Sequence, residues 1–264
     1  MAFDDLVAAT RSAVASRQRS APLRELRERT RSVPTARNVA SVLRAPGRVV
    51  SVIAEVKRAT ATFADLSGVG DVAVLARFYE AGGAACVSVV TEPVRSHGRL
   101  SDLDAVRGAV EVPVLANDVI VTPYQVHEAR AHGADMLVLE SLIERTHSLG
   151  MAAVVEAHSR SEALTAVAAG ARYVSVDARD PDTLAVDRSR FEQVAEVLPA
   201  SVTRMATGGV SGPYDVMSYA RAGADIVVVG EAVIRSADPQ QFVAELVAAG
   251  SHPALIPAAH REVL

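Results

Sequence analysis

The amino-acid sequence predicts an α/β fold, a (β/α)8 (TIM) barrel with extra N-terminal helices and a shortened fourth helix, and a fourfold repeat is the main reason. In each repeat an Ala-rich helix end and a glycine lead into a short strand rich in β-branched residues. The four segments are EAGGAACVSVV at 80–90, RAHGADMLVLE at 130–140, AVAAGARYVSVD at 166–177 and RAGADIVVVG at 221–230. Their apolar runs are continuous, which is typical of parallel strands that are covered on both faces.

Four further apolar runs bring the number of predicted strands to eight. They lie at 49–57, 112–117, 151–158 and 201–209. Eight strands that alternate with helical patterns favour a closed barrel over an open Rossmann sheet, and no GxGxxG motif follows the first strand. The segment between the fourth and fifth strands, 140–151, has room for only a stub of helix, so we expect the fourth helix to be short.

We expect one domain over 1–264, with the barrel itself at 48–250. Residues 1–47 predict a helical extension whose Arg-rich polar face, RELRERTRS, faces solvent while its apolar stripe packs over one barrel end. Residues 251–264 predict a C-terminal tail that covers the barrel base or frays.

The composition limits the classes of function that fit this chain. It is 50% hydrophobic and 22% charged, with a formal net charge of −4 at pH 7 and both signs interspersed, so we expect no nucleic-acid partner. The apolar runs are too short to cross a bilayer, and the N-terminus lacks the apolar core of a secretory signal. We therefore expect a cytoplasmic protein without a membrane partner. The single cysteine, Cys86, lies in an apolar run and is expected in the core.

Charged residues at the ends of the predicted strands are the candidates for catalysis, because barrel enzymes build their sites at the carboxyl ends of the strands. Glu55 and Lys57 are two residues apart at the end of the first strand, so their side chains leave the same face. Glu156 ends the fifth strand in the same way and could act as a general base or pair with Lys57. No histidine shows metal-ligand spacing with a carboxylate, so we expect no metal site.

Glycines follow the seventh and eighth predicted strands and suggest a phosphate site. They lie in ATGGVSG, which contains Gly208 and Gly209, and in VVGEAVIR, which contains Gly230. Glycine lets the backbone approach a ligand closely, and N–H groups just before a helix favour an anion. A phosphate site after the seventh and eighth strands recurs in barrels of this kind, so we expect a phosphorylated small-molecule substrate.

Several motifs in the region from about 50 to 250 resemble the indole-3-glycerol phosphate synthase family. The segment VIAEVKRATAT is similar to the first-strand motif of that family, roughly IAEIKRASPS. The other similar segments, in the same order along the chain, are ARFYEAGGAACVSVVTE, SDLDAVRGAVEVPVLANDVIVTPYQVHEARAHGADMLVL and GADIVVVGEAVIR. The motif Glu55-x-Lys57-Arg58 argues against another family of phosphate barrels, the phosphoribosyl anthranilate isomerases.

The resemblance implies a carbon–carbon lyase of tryptophan biosynthesis. Such an enzyme closes an anthranilate-derived ribulose phosphate to an indole with loss of carbon dioxide and water, and it needs no cofactor. The resemblance also implies roles for individual residues. Glu55, Lys57 and Glu156 match catalytic positions of the family, and Arg179 matches the Arg of its NxRD motif. The implied phosphate-binding positions are Thr60, Gly209, Gly230 and Glu231.

The chain departs from the family at positions that bear on catalysis. Asn117 stands where the family has a Lys that acts as general acid, and an amide cannot donate a proton at neutral pH. Asp177 replaces an Asn and adds negative charge near Glu156, and Thr207 replaces a Glu because the family's SESG is here ATGG. Ser96 and Val119 stand where the family usually has Phe, so an aromatic substrate would lose stacking surface.

These departures leave three interpretations open. In the first, the chain catalyses the family's reaction, with Lys57 as proton donor, Glu156 as general base and Glu55 orienting Lys57. In the second, it is a paralogue that acts on a different phosphorylated substrate in specialised metabolism, with Asp177 as a new acid or base. In the third, it is an inactive barrel that binds phosphate or a partner protein. We expect a monomer or a weak homodimer in each case.

Overall fold

The computed structural model describes residues 3–43, 49–60, 70–180, 183 and 185–255. It contains a closed barrel of eight parallel strands in the order of the chain, which confirms the predicted fold. Pairing of the first strand with the last closes the barrel, with Ser51 in register with Ile226. The strands are β1 (Ser51–Val56), β2 (Cys86–Val90), β3 (Val114–Asn117), β4 (Met136–Leu139), β5 (Ala152–Glu156), β6 (Tyr173–Asp177), β7 (Thr203–Thr207) and β8 (Ile226–Val229).

Helices precede the barrel, alternate with its strands and follow it. The helices are α1 (Phe3–Ser20), α2 (Leu23–Ser32), α3 (Val39–Leu43), α4 (Val72–Ala81), α5 (Leu100–Ala109), α6 (Pro123–Ala131), α7 (Ile143–Ser148), α8 (Arg160–Ala168), α9 (Ser189–Ala195), α10 (Pro213–Arg221), α11 (Glu231–Ile234) and α12 (Pro239–Gly250), with a 3-10 turn at Pro253–Leu255. The three helices before β1 confirm the extra N-terminal helices. The predicted tail lies outside the described residues beyond Leu255. No helix in the described ranges is both long enough and apolar enough to span a membrane.

Burial on both faces explains why the strands are apolar throughout. Side chains that point inward form one buried cluster, which includes Ile53, Leu115, Met136, Met205 and Ile226. Side chains that point outward lie under the helices in a second and larger cluster. Cys86 belongs to the inward cluster as a buried free thiol, as expected, and burial raises its pKa.

The fourth barrel helix is short, as predicted. Helix α7 has six residues, whereas its neighbours α6 and α8 have nine each. Leu142 precedes α7 in the left-handed region at φ 71°, a conformation that costs a non-glycine residue roughly 1–3 kcal/mol. The missing turns leave a groove of about 1140 Å³ beside α7 and α8, which reaches Glu140, Glu156 and His158 at the barrel mouth.

Helix α1 crosses the barrel mouth and is fixed there by an ion pair. Arg17 Nε and Nη2 lie 2.8 and 3.0 Å from the two carboxylate oxygens of Glu128 on α6. The Tyr124 hydroxyl donates to the Ala21 carbonyl at 2.7 Å. These contacts place Leu6, near the start of α1, against the cavity in the barrel mouth.

Replacing Arg17 with Ala is expected to lower the free energy of unfolding by on the order of 1–3 kcal/mol. The reason is that Glu128, only 4% exposed, would keep a buried charge without its partner, although the exposed side of Arg17 moderates the loss. Urea unfolding measures the change, with Arg19→Ala as the control because Arg19 makes no ion pair within the described part of the chain. Equal losses in the two variants would contradict this account of how α1 is held.

Candidate active site

A cavity of about 700 Å³ occupies the carboxyl-terminal end of the barrel. Alternation along each strand explains its lining, because the inward series that starts with core residues ends in polar ones. On β1, for example, inward Ile53 is followed by Glu55 and then Lys57. All the residues singled out from the sequence line this one cavity: Glu55, Lys57, Thr60, Asn117, Glu156, Asp177, Arg179, Gly208, Gly209, Gly230 and Glu231.

The carboxylate of Glu55 is the centre of a hydrogen-bonded group on one side of the cavity. Its Oε1 lies 2.8 Å from the Lys57 ammonium nitrogen, and its Oε2 accepts from Ser88 Oγ at 3.0 Å and from Asn117 Nδ2 at 2.9 Å. Burial alone would raise the pKa of Glu55, but the Lys57 charge and these hydrogen bonds outweigh it and leave that pKa below its ordinary value. Glu55 is therefore a fixed anion that holds Lys57 at the cavity wall.

Asn117 takes part in this arrangement through its amide. The family's Lys would bring a second ammonium here, whereas Asn117 donates one neutral hydrogen bond to Glu55. Ser88 was not predicted from the sequence. It lies in register with Glu55 on the neighbouring strand, and a Ser in the middle of the apolar run CVSVV was the available signal.

A second group of titratable side chains lies across the cavity at the ends of β5 and β6. His158 Nε2 lies 3.3 Å from Glu156 Oε1, and this hydrogen bond raises the pKa of His158 despite partial burial. Burial raises the pKa of Asp177, and the charge of Glu156 adds to the effect, although the Arg179 amide donates to Asp177 Oδ1 at 2.8 Å. The carboxyl groups of Glu156 and Asp177 thus have different partners, an imidazole for Glu156 and a backbone amide for Asp177.

Each glycine of the predicted phosphate site has a specific steric reason. Gly208 and Gly209 have φ values of 77° and 70°, which favour glycine. A Cβ at Gly230 would lie 2.5 Å from Lys57 Cε, so this position must lack a side chain for Lys57 to lie where it does. The helix that follows Gly230, α11, spans four residues.

Thr207, which replaces the family's Glu, ends β7 in register with Asp177. Its hydroxyl oxygen is buried and has no hydrogen-bond partner among the described residues. A buried hydroxyl without a partner is costly, so a bound ligand that hydrogen-bonds to it would gain affinity.

Asp118, which follows β3, is a further carboxyl group in the cavity wall. Its Oδ2 accepts from Thr91 Oγ1 at 3.0 Å and its Oδ1 from the Val119 amide at 2.7 Å. Burial outweighs these bonds and raises the pKa of Asp118 to about 6. Asp118 therefore connects the ends of β2 and β3, but the protein then keeps a partly buried negative charge at neutral pH.

Replacing Asp118 with Asn is expected to stabilise the protein above about pH 6 and to have little effect below about pH 4. The pKa of Asp118 is higher in the folded protein than in the unfolded chain, so between about pH 4 and pH 6 the folded protein binds more protons at this group. Ionising the carboxyl group therefore destabilises the fold progressively over this range and fully above about pH 6. The gain is on the order of 1–3 kcal/mol. Thermal unfolding at both pH values measures it, and a difference that does not depend on pH would contradict the assignment.

The wall of the cavity is acidic and lacks aromatic residues in its described part. Ser96 and Val119, which stand where the family usually has Phe, both line it. Glu92 positions the loop that carries Ser96 by accepting hydrogen bonds from the amides of Val94, Arg95 and Ser96. The described lining carries more carboxyl groups than cationic groups: Glu55, Glu92, Asp118, Glu140, Glu156, Asp177, Asp180 and Glu231, against Lys57, Arg95 and Arg179.

Comparisons with known proteins agree with this geometry. Residues 3–246 match the family model described as indole-3-glycerol phosphate synthase. A curated relative of that name from Mycolicibacterium smegmatis is 51% identical over 261 residues, which cover 95% of each chain. Another from Beutenbergia cavernae is 49% identical over 263 residues, or 96% of this chain and 97% of that one.

A solved structure supports the fold alone. Thiamine phosphate pyrophosphorylase from Pyrococcus furiosus superposes with a TM-score of 0.62 at 18% identity, covering 80% of this chain and 99% of that one. The sequence matches over nearly the whole length decide the family and confirm the resemblance seen in the motifs. The chain belongs to the indole-3-glycerol phosphate synthase family.

Proposed function

We propose that this chain is a carboxy-lyase that closes an anthranilate-derived ribulose phosphate to an indole, with release of carbon dioxide and water. The observation that carries the proposal is the Lys57 ammonium, held 2.8 Å from the buried anion Glu55 at the wall of the cavity that also contains Glu156. An acid and a base on opposite sides of one cavity can act on two ends of the same reacting unit.

We infer that the phosphate group binds against the glycines that follow β7 and β8. Gly209 and Gly230 leave backbone accessible in the cavity, and Thr60, Arg179 and Glu231 line the same region. Arg179 supplies positive charge and Thr60 a hydroxyl for phosphate oxygens. This placement directs the rest of the substrate across the cavity towards Lys57 and Glu156.

The proton balance of the reaction gives Lys57 the role of acid and Glu156 the role of base. The ring carbon that bears the carboxylate bonds to the ketone carbon, and the ketone oxygen takes a proton from Lys57. Carbon dioxide then leaves and its bonding electrons restore the aromatic ring. The hydroxyl group formed from the ketone takes a second proton and leaves as water, while Glu156 removes a proton from the carbon beside the ring nitrogen. Two protons are delivered and one is removed, which balances the loss of the carboxylate charge.

Turnover of the anthranilate-derived ribulose phosphate by the purified protein, followed by indole fluorescence, tests the proposal. We expect turnover by the wild type and a higher kcat for Asn117→Lys, because a second ammonium would join the acid side of the cavity. Absence of indole product in both proteins would contradict the proposed reaction.

One observation favours a second candidate function, action on a different phosphorylated substrate. The excess of carboxyl groups in the described cavity wall disfavours a substrate that carries both a carboxylate and a phosphate. In that case we expect the protein to bind sugar phosphates in calorimetry without forming an indole. Failure to bind any of them would leave the inactive barrel as the remaining interpretation.

We propose that the protein acts in the cytoplasm as a monomer or a weak homodimer. Light scattering over a range of protein concentrations tests the oligomeric state, and a stable oligomer at low concentration would contradict it.

A further inference from the structure

The proposed reaction needs a second proton donor, and Asn117 cannot be one. Lys57 gives its proton to the ketone oxygen, and the departing hydroxyl then needs another. The amide of Asn117 stands where the family has a Lys and donates only a neutral hydrogen bond to Glu55. On the basis of the proposed function, we propose that Asp177 is the acid that protonates the departing hydroxyl. We also propose that His158 is a positioning residue that keeps Glu156 available as the base.

The backbone fixes Asp177 with one oxygen committed and the other open. The Arg179 amide donates to Oδ1, and among the described residues no hydrogen bond reaches Oδ2. A Cβ at Gly208 would lie 2.2 Å from Oδ1, so the carboxyl group occupies the space where a side chain at 208 would begin. The family has Ser at that position and Asn at 177. The two replacements therefore form a matched pair, since Gly208 makes room for Asp177 as it is placed here.

The surroundings of Asp177, chiefly burial, raise the pKa of its carboxyl group. The groups that act on it are Glu156 from β5, Lys57 just after β1 and Arg179 just after β6, while His158 and Tyr219 of α10 also interact with its charge. Burial and Glu156 raise the pKa of Asp177 more than the two cations and the Arg179 amide lower it.

Glu156 has a partner that Asp177 lacks. His158 Nε2 lies 3.3 Å from Glu156 Oε1 and holds that carboxyl group in position at the end of β5. Two carboxyl groups whose environments separate their protonation states divide the acid and base roles between them. Asp177, whose pKa burial raises, is therefore the acid of the pair, and Glu156 is the base.

The division of roles gives a balanced dehydration step. The Asp177 O–H transfers its proton to the hydroxyl group, the C–O bond breaks and water leaves. Glu156 takes the proton from the carbon beside the ring nitrogen, and the electrons of that C–H bond form the ring double bond. Asp177 ends as a carboxylate and Glu156 as an acid. Transfer of the proton from Glu156 to Asp177 restores both for the next turnover.

Steady-state kinetics of Asp177→Asn test the role of the acid. We expect kcat to fall by about 10²-fold or more near neutral pH. In the wild type the rate should decline as pH rises through the pKa of Asp177, and this alkaline limb should be lost in the variant. Glu140→Gln is the matched control, since Glu140 is a carboxyl group in the same cavity with no part in the step. Adding Asn117→Lys to Asp177→Asn should recover activity by a larger factor than Asn117→Lys gives in the wild type.

Steady-state kinetics of His158→Gln test the positioning role. We expect kcat to fall while KM stays near its wild-type value, because losing His158 displaces the base and leaves the phosphate site unchanged. Carbon-13 NMR of labelled carboxyl groups tests the raised pKa of Asp177. The wild type should show a titration step above the ordinary carboxyl range, and Asp177→Asn should lack that step. This titration can be measured without turnover.

The outcomes separate this inference from the proposed function. An active wild type with an active Asp177→Asn variant of unchanged pH profile would overturn the inference and leave the proposed function intact. A carboxyl titration in which Asp177 ionises within the ordinary carboxyl range would overturn it as well. A wild type without turnover would overturn the proposed function together with the catalytic role of Asp177.

Discussion

Replacing Lys57 with Ala is expected to lower kcat by about 10²–10⁴-fold, the range that a positioned general acid contributes. Lys57 is the ammonium that Glu55 fixes at the cavity wall, and it gives the first proton of the proposed reaction. The fold should survive because Ser88 and Asn117 still donate to Glu55, and the Lys57 side chain is 21% exposed and faces the cavity.

The control for Lys57 is its neighbour Arg58. Arg58 Nε and Nη2 each lie 2.7 Å from a carboxylate oxygen of Asp102 on α5, so Arg58 has a structural partner outside the acid–base pair. Arg58→Ala should lower stability with a much smaller effect on kcat. Circular dichroism and steady-state kinetics on both variants separate the two effects. Full activity of Lys57→Ala would contradict the assignment of the first acid.

Replacing Gly230 with Ala is expected to lower kcat by about 10²-fold with little loss of stability. The new Cβ would lie 2.5 Å from Lys57 Cε, 2.9 Å from Lys57 Nζ and 3.1 Å from Glu55 Oε1. The end of the Lys57 side chain is flexible and would move aside, which protects the fold but displaces the ammonium. A displacement of about 1 Å at a reacting group can cost this factor.

Gly212→Ala is the matched control for Gly230→Ala. A Cβ at Gly212 would meet no atom within 4 Å, and its φ of 179° is extended backbone that any residue adopts. We expect the control to keep the wild-type kcat and melting temperature. Equal loss of activity in both variants would show that the effect at Gly230 does not pass through Lys57.

The fold could be predicted because its signals are local. Each of the four repeats carries its own helix end, glycine and apolar strand, and with the four further apolar runs they suffice to indicate a barrel. The strand ends were less accurate. The run 201–209 extends beyond the observed Thr203–Thr207, because Gly208 and Gly209 take left-handed conformations that end the strand.

The residues of the site could be predicted by their place at strand ends, but their contacts could not. Gly230 illustrates the limit. The sequence identified it as backbone that approaches phosphate, whereas its contact with Lys57 exists only because β8 closes the barrel against β1. The bond between Ser88 and Glu55 likewise depends on the register of two strands. Spacing along the chain does not determine such register.

A crystal structure with a substrate analogue tests the central claim most directly. In this analogue the ketone is reduced to an alcohol, so it binds without reacting. We expect its phosphate at Gly209 and Gly230 and its new hydroxyl group within hydrogen-bond distance of Lys57, with the anthranilate ring between Lys57 and Glu156. A phosphate bound elsewhere, or a hydroxyl group out of reach of Lys57, would contradict the proposed lyase.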